Sequence, residues 1–418
     1  MSSTEKNIRI KQTFLATKAR RETQTCRVVT VKVQDNKLNA SQRETLKMLF
    51  VEAKWMYNHI LNLSNEEEVN VFSLKYTDLN EVKHFTKDKE EVVSKLSYLS
   101  SQMRQDVLAG ILTSIKSLAK LKKKGNKVGA LKFISEYSSI NLKQYNGTHK
   151  IVGKNKVKIQ GIKKPLKVNG LDQIEKRFGT DYELANAKLL LKPSGYYIAF
   201  TVYTTKQIEE GSKPRIGIDL GCKTSVTLSN GEKITSLVEE SERLKRLQRK
   251  RDKRKKGSNN RYKLNKKIRK LYERDVNRRN DSAYKVCSKL SKYQVVMQDE
   301  QINAWKEKHG KKVQHSILGR VKRILMMRED TKVLNKYVPT TKLCRNCGHV
   351  HNELSLCDRE YKCPVCGETE DRDVHAAKNM LWLEKNIIGV GRTEYTPADF
   401  KERLLSFFGS KNQEATKL

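Results

Sequence analysis

Two Cys-x-x-Cys turns, Cys344 with Cys347 and Cys363 with Cys366, stand 15 residues apart in the stretch LCRNCGHVHNELSLCDREYKCPVC, residues 343–366. Two residues between thiolates let both sulfurs of a turn reach one ion, and two such turns close a tetrahedron of the zinc-ribbon kind. Four sulfur ligands leave no open position, so this Zn²⁺ is expected to be structural and to perform no chemistry. No sulfur is missing that His349 or His351 would have to replace. Cys357 fits neither turn and reads as a free thiol. Cys26, Cys222 and Cys287 are scattered, a usage that suits a reducing compartment better than a disulfide framework.

Length and charge bound the rest. At 418 residues the chain is long enough for two or three domains. Its 86 Lys and Arg against 47 Asp and Glu leave a formal charge of +39, far beyond what solubility requires. A polyanion is the expected partner, and nucleic acid the commonest one. No run of 18 apolar residues and no signal-type apolar core occurs, so the expectation is a soluble, cytoplasmic protein without a membrane partner.

Along the chain, RVVTVKVQ (27–34) alternates as a half-buried strand, and residues 41–62 and 91–121 carry apolar residues at helical spacing. From 148 to 204 the pattern turns to strands, the last two a hairpin about Pro193, Ser194 and Gly195. After the linker TKQIEEGSKP (205–214), RIGIDLGCKTSVTLSNGEKIT predicts three antiparallel strands with an Asn-Gly turn, the opening of an RNase H-like sheet. Residues 243–290 predict two helices broken at GSNN. From Arg243 to Asn280 there are 19 Lys or Arg and three acids, with a thin apolar stripe through Leu244, Leu247, Leu264, Ile268, Leu271 and Tyr272. YQVVMQDEQI (293–302) predicts a strand ending in acids, HSILGRVKRILMM (315–327) a helix, and TKVLNKYVP (331–339) a strand into the ribbon.

A charge run is usually a solvated face. Cations at this density repel one another unless phosphates neutralise them, so Arg243, Lys245, Arg246, Arg249, Lys250, Arg254, Arg261, Lys266, Lys267, Arg269 and Lys270 are the expected nucleic-acid contacts. Spread over the helices, they would track a backbone and carry no base information. Aromatic residues at 7% argue against a binder dominated by base stacking.

The acids make the sharper pattern. Asp219 closes a buried strand, where a turn-initiating role is ordinary, and Asp373 opens DVHAAKNMLWL, where helix capping is ordinary. Asp299 and Glu300 stand between them at the end of VVMQ. Acids at the ends of three separate elements are what a two-metal phosphodiesterase needs, because Mg²⁺ takes hard oxygen ligands and paired ions are bridged by carboxylates.

In this order GIDLG, the basic hairpin, the strand ending in acids, HSILGRVKRIL, the paired Cys-x-x-Cys turns and DRDVHAAKNM resemble the TnpB family encoded by bacterial insertion sequences, relatives of the type V CRISPR single-effector nucleases. The close resemblance covers about residues 214–385; WMYNHIL and KKPLKVNG extend it weakly toward the N-terminus. It implies a fold that is α/β plus β-barrel: a RuvC-type, RNase H-like nuclease domain with an inserted zinc ribbon, preceded by a wedge-like barrel carrying a helical recognition lobe. The implied boundaries are barrel 1–40 and 145–212, lobe 41–144, nuclease 213–340 and 370–386, ribbon 341–369 and a C-terminal tail 387–418, in which ADFKERLLSFFG predicts a short helix.

The resemblance further implies an RNA-guided DNA endonuclease that cleaves next to a short flanking motif, with guide RNA and double-stranded target DNA as partners and one protein copy per RNA. It assigns the first carboxylate to Asp219 and the third to Asp373, with two catalytic Mg²⁺ ions activating water for in-line attack on a phosphodiester. The family writes Asn where this chain has His375, and Glu-Asp-Leu where it has Gln298, Asp299 and Glu300. Residues two apart on a strand share a face, so Glu300 is expected as the second catalytic acid, with Asp299 the fallback. Loss of acid at Gln298 motivates an alternative, a nuclease-inactive RNA-guided repressor. A strand-joining transposase is the third reading, although no His-rich metal motif with a nucleophilic Tyr accompanies it.

Overall fold

The computed structural model describes residues 3–66, 69–86, 88, 90–206, 213–236, 238–355, 357–388, 402 and 404–408. These fall into two compact units, residues 1–209 and 210–418. Residues 207–212 of the linker expected at 205–214, and most of the C-terminal tail, lie outside the described residues, and Thr205 belongs to the last strand of the first unit. Residues 404–408 of the tail are helical, as ADFKERLLSFFG predicts.

The first unit runs α1 (Ser3–Glu22), β1 (Gln24–Val33), α2 (Ala40–Leu63), β2 (Glu81–Phe85), β3 (Glu91–Lys95), α3 (Ser101–Lys123), β4 (Ser139–Leu142), β5 (His149–Gly153), β6 (Lys156–Ile159), β7 (Leu166–Asn169), α4 (Gln173–Phe178), β8 (Glu183–Lys192) and β9 (Gly195–Thr205). Seven strands form one antiparallel sheet in the order β4-β8-β9-β1-β7-β6-β5, a nearly closed barrel. Val29, Val31 and Val33 alternate inward from β1 and meet Leu46, Leu49, Phe50 and Met56 of α2. A capping box between Asn39 and Gln42 starts α2.

Three assignments in this unit differ from the sequence reading. Helical periodicity suggested a helix from 91, yet Glu91–Lys95 pairs with β2, and α3 begins only after the Ser100 cap. Between them the buried Glu52 accepts the N–H groups of Ser97, Tyr98 and Leu99 at 2.8 to 3.1 Å, holding the chain extended where a helix would bond them internally. The barrel also starts earlier than 145, because Ser139–Leu142 pairs with β8, and residues 3–22, expected in the barrel, are helical.

The second unit continues with β10 (Arg215–Asp219), β11 (Val226–Leu228), β12 (Lys233–Ile234), α5 (Glu242–Asp252), α6 (Asn259–Lys289), β13 (Gln294–Gln298), α7 (Ile302–His309), α8 (Lys311–His315), α9 (Leu318–Met326), β14 (Lys332–Leu334), β15 (Glu360–Lys362), β16 (Thr369–Asp371) and α10 (Arg372–Leu383). Its main sheet has the order β12-β11-β10-β13-β14. The first three strands are antiparallel neighbours, whereas β13 and β14 add parallel. The strand expected over 331–339 is only three residues long.

On one face Ile216, Ile218, Val295 and Met297 pack with Ala283, Val286, Val321 and Leu325 from α6 and α9. The other face is covered by α10, with Val296 against Met380 and Leu383. Arg215 meets Glu384 at 2.8 Å, and a Cβ on Gly217 would lie 1.9 Å from the carbonyl oxygen of Ala377. Strand and helix therefore run antiparallel with backbones in contact, an approach that glycine alone permits.

Gly217→Ala should cost about 3 kcal/mol or more, because a backbone carbonyl cannot step aside as a side chain would. Gly319→Ala, exposed in α9 with no atom within 4 Å of the added methyl, should be neutral or gain up to about 1 kcal/mol. Denaturant melts of both variants check the opposite signs.

Candidate active site and metal centre

The Gly217 contact sets the register of the acids. Asp219 lies two residues beyond Gly217 on the same strand face, about 6.6 Å along β10. Asp373 lies four residues before Ala377, one turn back on the same helix face and about 6 Å along α10. The two displacements run the same way because strand and helix are antiparallel. Asp219 therefore meets Asp373, and its carboxyl is pushed up to about 7 by burial first, then by the negative charges of Asp373 and Glu300. The Arg372 guanidinium and the Leu220 N–H offset part of that.

Asp373 is not the helix cap. Asp371 takes that role, accepting the Val374 N–H at 3.1 Å and pairing with Lys233 at 2.6 Å, which leaves Asp373 with Arg372 at 3.4 Å.

The three residues that end β13 have separate fates. The buried Gln298 amide donates to the carbonyls of Asn335 and Val338 at 3.0 and 2.7 Å and accepts from the Thr340 hydroxyl at 2.8 Å. It clasps the loop that leads to the ribbon. Asp299 pairs with Lys322 of α9 at 2.5 Å, and Lys322 also donates to the Glu300 carbonyl at 2.7 Å. Glu300 lies past the end of the strand, its N–H turned back to Gln298 O at 2.9 Å, so simple alternation does not carry it to its place. Burial raises its carboxyl, Asp299 adds to that, and Lys322 opposes it.

Asp219, Glu300 and Asp373 thus share one electrostatic environment, and Asp299 has a cation of its own. Their oxygens do not close as a set to within 4.8 Å, the spacing that the cysteine quartet meets. A single ion needs all ligands about one point, whereas two ions about 4 Å apart are spanned by a wider set. Hard oxygen donors gathered in a half-buried spot with partly uncompensated charge suit Mg²⁺.

The ribbon is built as its spacing predicts. Sγ of Cys344 lies 3.5 Å from that of Cys366, and Cys347 lies 3.6 Å from Cys363. Tetrahedral zinc with Zn–S near 2.3 Å places sulfurs about 3.8 Å apart, so the four thiols fit that ion. Gly348 and Gly367, at φ of 77° and 74°, close the turns by donating to Cys344 O and Cys363 O. Cys357 is exposed and free.

Sequence reasoning missed what the ribbon leans on. Leu343 O, next to the first cysteine, accepts from His375 Nε2 at 2.8 Å and from Asn379 Nδ2 at 2.6 Å, one turn apart on α10. The Tyr361 ring stacks on His375 at 3.7 Å between centroids. Burial keeps His375 below the usual imidazole range, so it is neutral, with Arg345 donating to its Nδ1 at 3.2 Å. Glu368 and Glu370 stand beside it, but both pair with Arg345 at 2.9 Å, and Glu370 also with Lys378; this is an ion-pair cluster rather than a metal centre. One signal for such contacts was legible, the lone glycine in Ile-Gly-Ile, which marks a close backbone approach.

In the hairpin α5 packs against α6, burying Leu244 and Ile268. Arg243, Arg246, Arg249, Lys250, Arg254, Lys266, Lys267, Arg269 and Lys270 are exposed. Two of the expected contacts have other duties. Arg261 donates to Arg251 O and Arg254 O, each at 2.9 Å, tying the α5–α6 turn, and Lys245 pairs with Glu242 at 2.7 Å. Among the described residues no helix is long and apolar enough to cross a membrane.

Comparison with known proteins follows this geometry. Residues 199–306 match the OrfB_IS605 family, described as a probable transposase, and residues 328–380 match the Cas12f1-like TNB domain. A putative RNA-guided DNA endonuclease of Streptomyces pristinaespiralis is 34% identical over 178 residues, which is 40% of this chain and 44% of that protein. The putative RNA-guided DNA endonuclease InsQ of Escherichia coli (strain K12) is 29% identical over 208 residues, 43% of this chain and 51% of the relative. The chain therefore spans about half the length of the curated relatives it matches. The cryo-EM structure of a Cas12f1–sgRNA–target DNA complex aligns with a TM-score of 0.49 at 13% identity, over 86% of this chain and 99% of that one.

The Asp219 environment has a stability consequence. The native state keeps its proton up to about pH 7, whereas the unfolded chain releases it near 3.8, so native stability falls as pH rises between those values. Asp219→Asn carries no charge to bury. In buffer with zinc retained and no magnesium, it should melt above the wild type at about pH 8 by up to a few kcal/mol, with the gap closing toward about pH 4. Added magnesium should raise the melting temperature of the wild type and leave that of the variant unchanged.

Proposed function

We infer that this chain, a relative of the TnpB family over its second half, is an RNA-guided DNA endonuclease of the RuvC type, directed by a guide RNA to a duplex target beside a short flanking motif. The observation that carries this is that Asp219, half-buried at the end of β10, feels the negative charges of Asp373 and Glu300 from two further elements, which with its burial disfavour its own charge. The strand order β12-β11-β10-β13-β14 supports an RNase H-like assignment, since the acids lie at the ends of the adjacent parallel strands β10 and β13 and at the start of the helix that covers them.

In this reading Asp219, Glu300 and Asp373 hold a pair of magnesium ions. Magnesium bound there supplies Lewis acidity and an activated water for in-line hydrolysis of a DNA phosphodiester. Lys322 positions the second acid, gripping the Glu300 backbone and removing Asp299 from the site. Gly217 positions the third by letting α10 lie on β10. The cysteine quartet holds structural zinc, and His375 with Asn379 transmits its rigidity to α10. The exposed cations of α5 and α6 grip phosphates without reading bases. The seven-stranded barrel and its helices take the wedge and recognition roles, with one protein copy on one guide RNA.

The test is purification with copurifying RNA, sequencing of that RNA, and incubation with a matched duplex and magnesium. Cleavage should fall at least about a hundredfold in Asp219→Ala, Glu300→Gln and Asp373→Ala, and by far less in Asp299→Asn. Specific binding of the duplex with no cut would instead establish the repressor reading, and strand joining without RNA the transposase reading.

A further inference from the structure

The segment HSILGRVKRIL holds more cations than the carboxylate site uses. Lys322 faces Asp299 and Glu300, but Arg320 and Arg323, one turn apart on α9, have no acid. Arg320 Nε donates to Asn280 Oδ1 on α6 at 2.6 Å, a neutral partner that orients the guanidinium without balancing its charge. Adjacent to Asn280 stands Arg279, only 7% exposed. It donates to Gln314 O at 2.9 Å, lies 3.5 Å from His315 Nδ1, and keeps a buried Nε with no partner. Among the described residues none of the three arginines is ion-paired, and Asp275, the nearby acid on α6, meets Arg278 at 3.9 Å. Burial holds Arg320 below the usual guanidinium range, and the positive charges of Arg279 and Arg323 add to that.

Like charges packed this way destabilise a fold unless something balances them, and a buried donor left unpaired adds a further cost. Guanidinium forks match phosphate oxygens in pairs; Arg279 and Arg320 at the helix junction, with the exposed Arg323 one turn further along α9, make a site for one or two backbone phosphates. We propose that Arg279 of α6 with Arg320 and Arg323 of α9 form a phosphate clamp for a nucleic-acid strand, separate from the exposed cations of the hairpin. It rests on the nucleic-acid reading above. The strand is either the DNA to be cut or the guide RNA; the phosphate chemistry is shared.

The test is Arg320→Gln/Arg323→Gln in the full chain freed of RNA, titrated into a labelled single-stranded DNA and an RNA of the same sequence over a salt series. Loss of two phosphate contacts should flatten the slope of log affinity against log salt by about 1.4, at roughly 0.7 per contact. The melting temperature should hold or rise, because neutralising a self-repelling cluster relieves it. Flattening on DNA alone or on RNA alone assigns the strand. An unchanged slope on both, or a lowered melting temperature, overturns the clamp. Wild-type protein that binds neither oligonucleotide overturns the nucleic-acid reading itself, a failure visible before any variant is compared.

Discussion

The close seating of α10 on β10 governs the second unit. A strand and a helix normally stand apart by the width of their side chains. Here Gly217 removes that spacer at one point, and the Ala377 carbonyl occupies the place of a methyl group. Everything one turn away then follows. Asp219 and Asp373 meet because two residues of strand and four of helix are nearly the same length. The cost is visible at Asp219, whose charge is disfavoured by burial and by its neighbours. Divalent ions offset that kind of cost, so the strain of the site and its proposed chemistry have a single origin.

The cysteine ribbon extends the same logic. Its first turn is bonded through Leu343 O to two side chains of α10, and Tyr361 stacks on one of them. On the other side, Gln298 ties the end of β13 to the loop that enters the ribbon. The ribbon is thus fastened to both elements that bring acids to the site. A metal held by the four thiols would need no chemistry of its own to matter there, because it would make a short, core-poor segment stiff enough to hold a helix start in place.

The departures from the family pattern become intelligible in these terms. Gln298 stands where an acid is usual, but its amide N–H groups satisfy the carbonyls of Asn335 and Val338, which a carboxylate, an acceptor only, would leave unpaired. His375 stands in place of Asn, is neutral, and both stacks and donates. Neither change removes an acid from the meeting point of Asp219, Glu300 and Asp373.

The sequence by itself determined the local, covalently close features. The thiol quartet follows from Cys-x-x-Cys spacing, the three-strand opening from alternation and an Asn-Gly turn, and the exposed basic hairpin from charge density over helical periods. It also named Asp219, Glu300 and Asp373, partly through resemblance. It misjudged residues 91–95 because a helical apolar pattern cannot reveal that a distant Glu52 will hold the next N–H groups, and it placed Asp373 as a possible cap when Asp371 does that work. Only the tertiary structure decided which acids act on Asp219, that Arg261 fastens a turn, and that Arg279 and Arg320 stand together at the α6–α9 junction. Those outcomes depend on contacts between residues far apart in the chain, where burial and the charge of a neighbour, rather than residue type, set what a side chain can do.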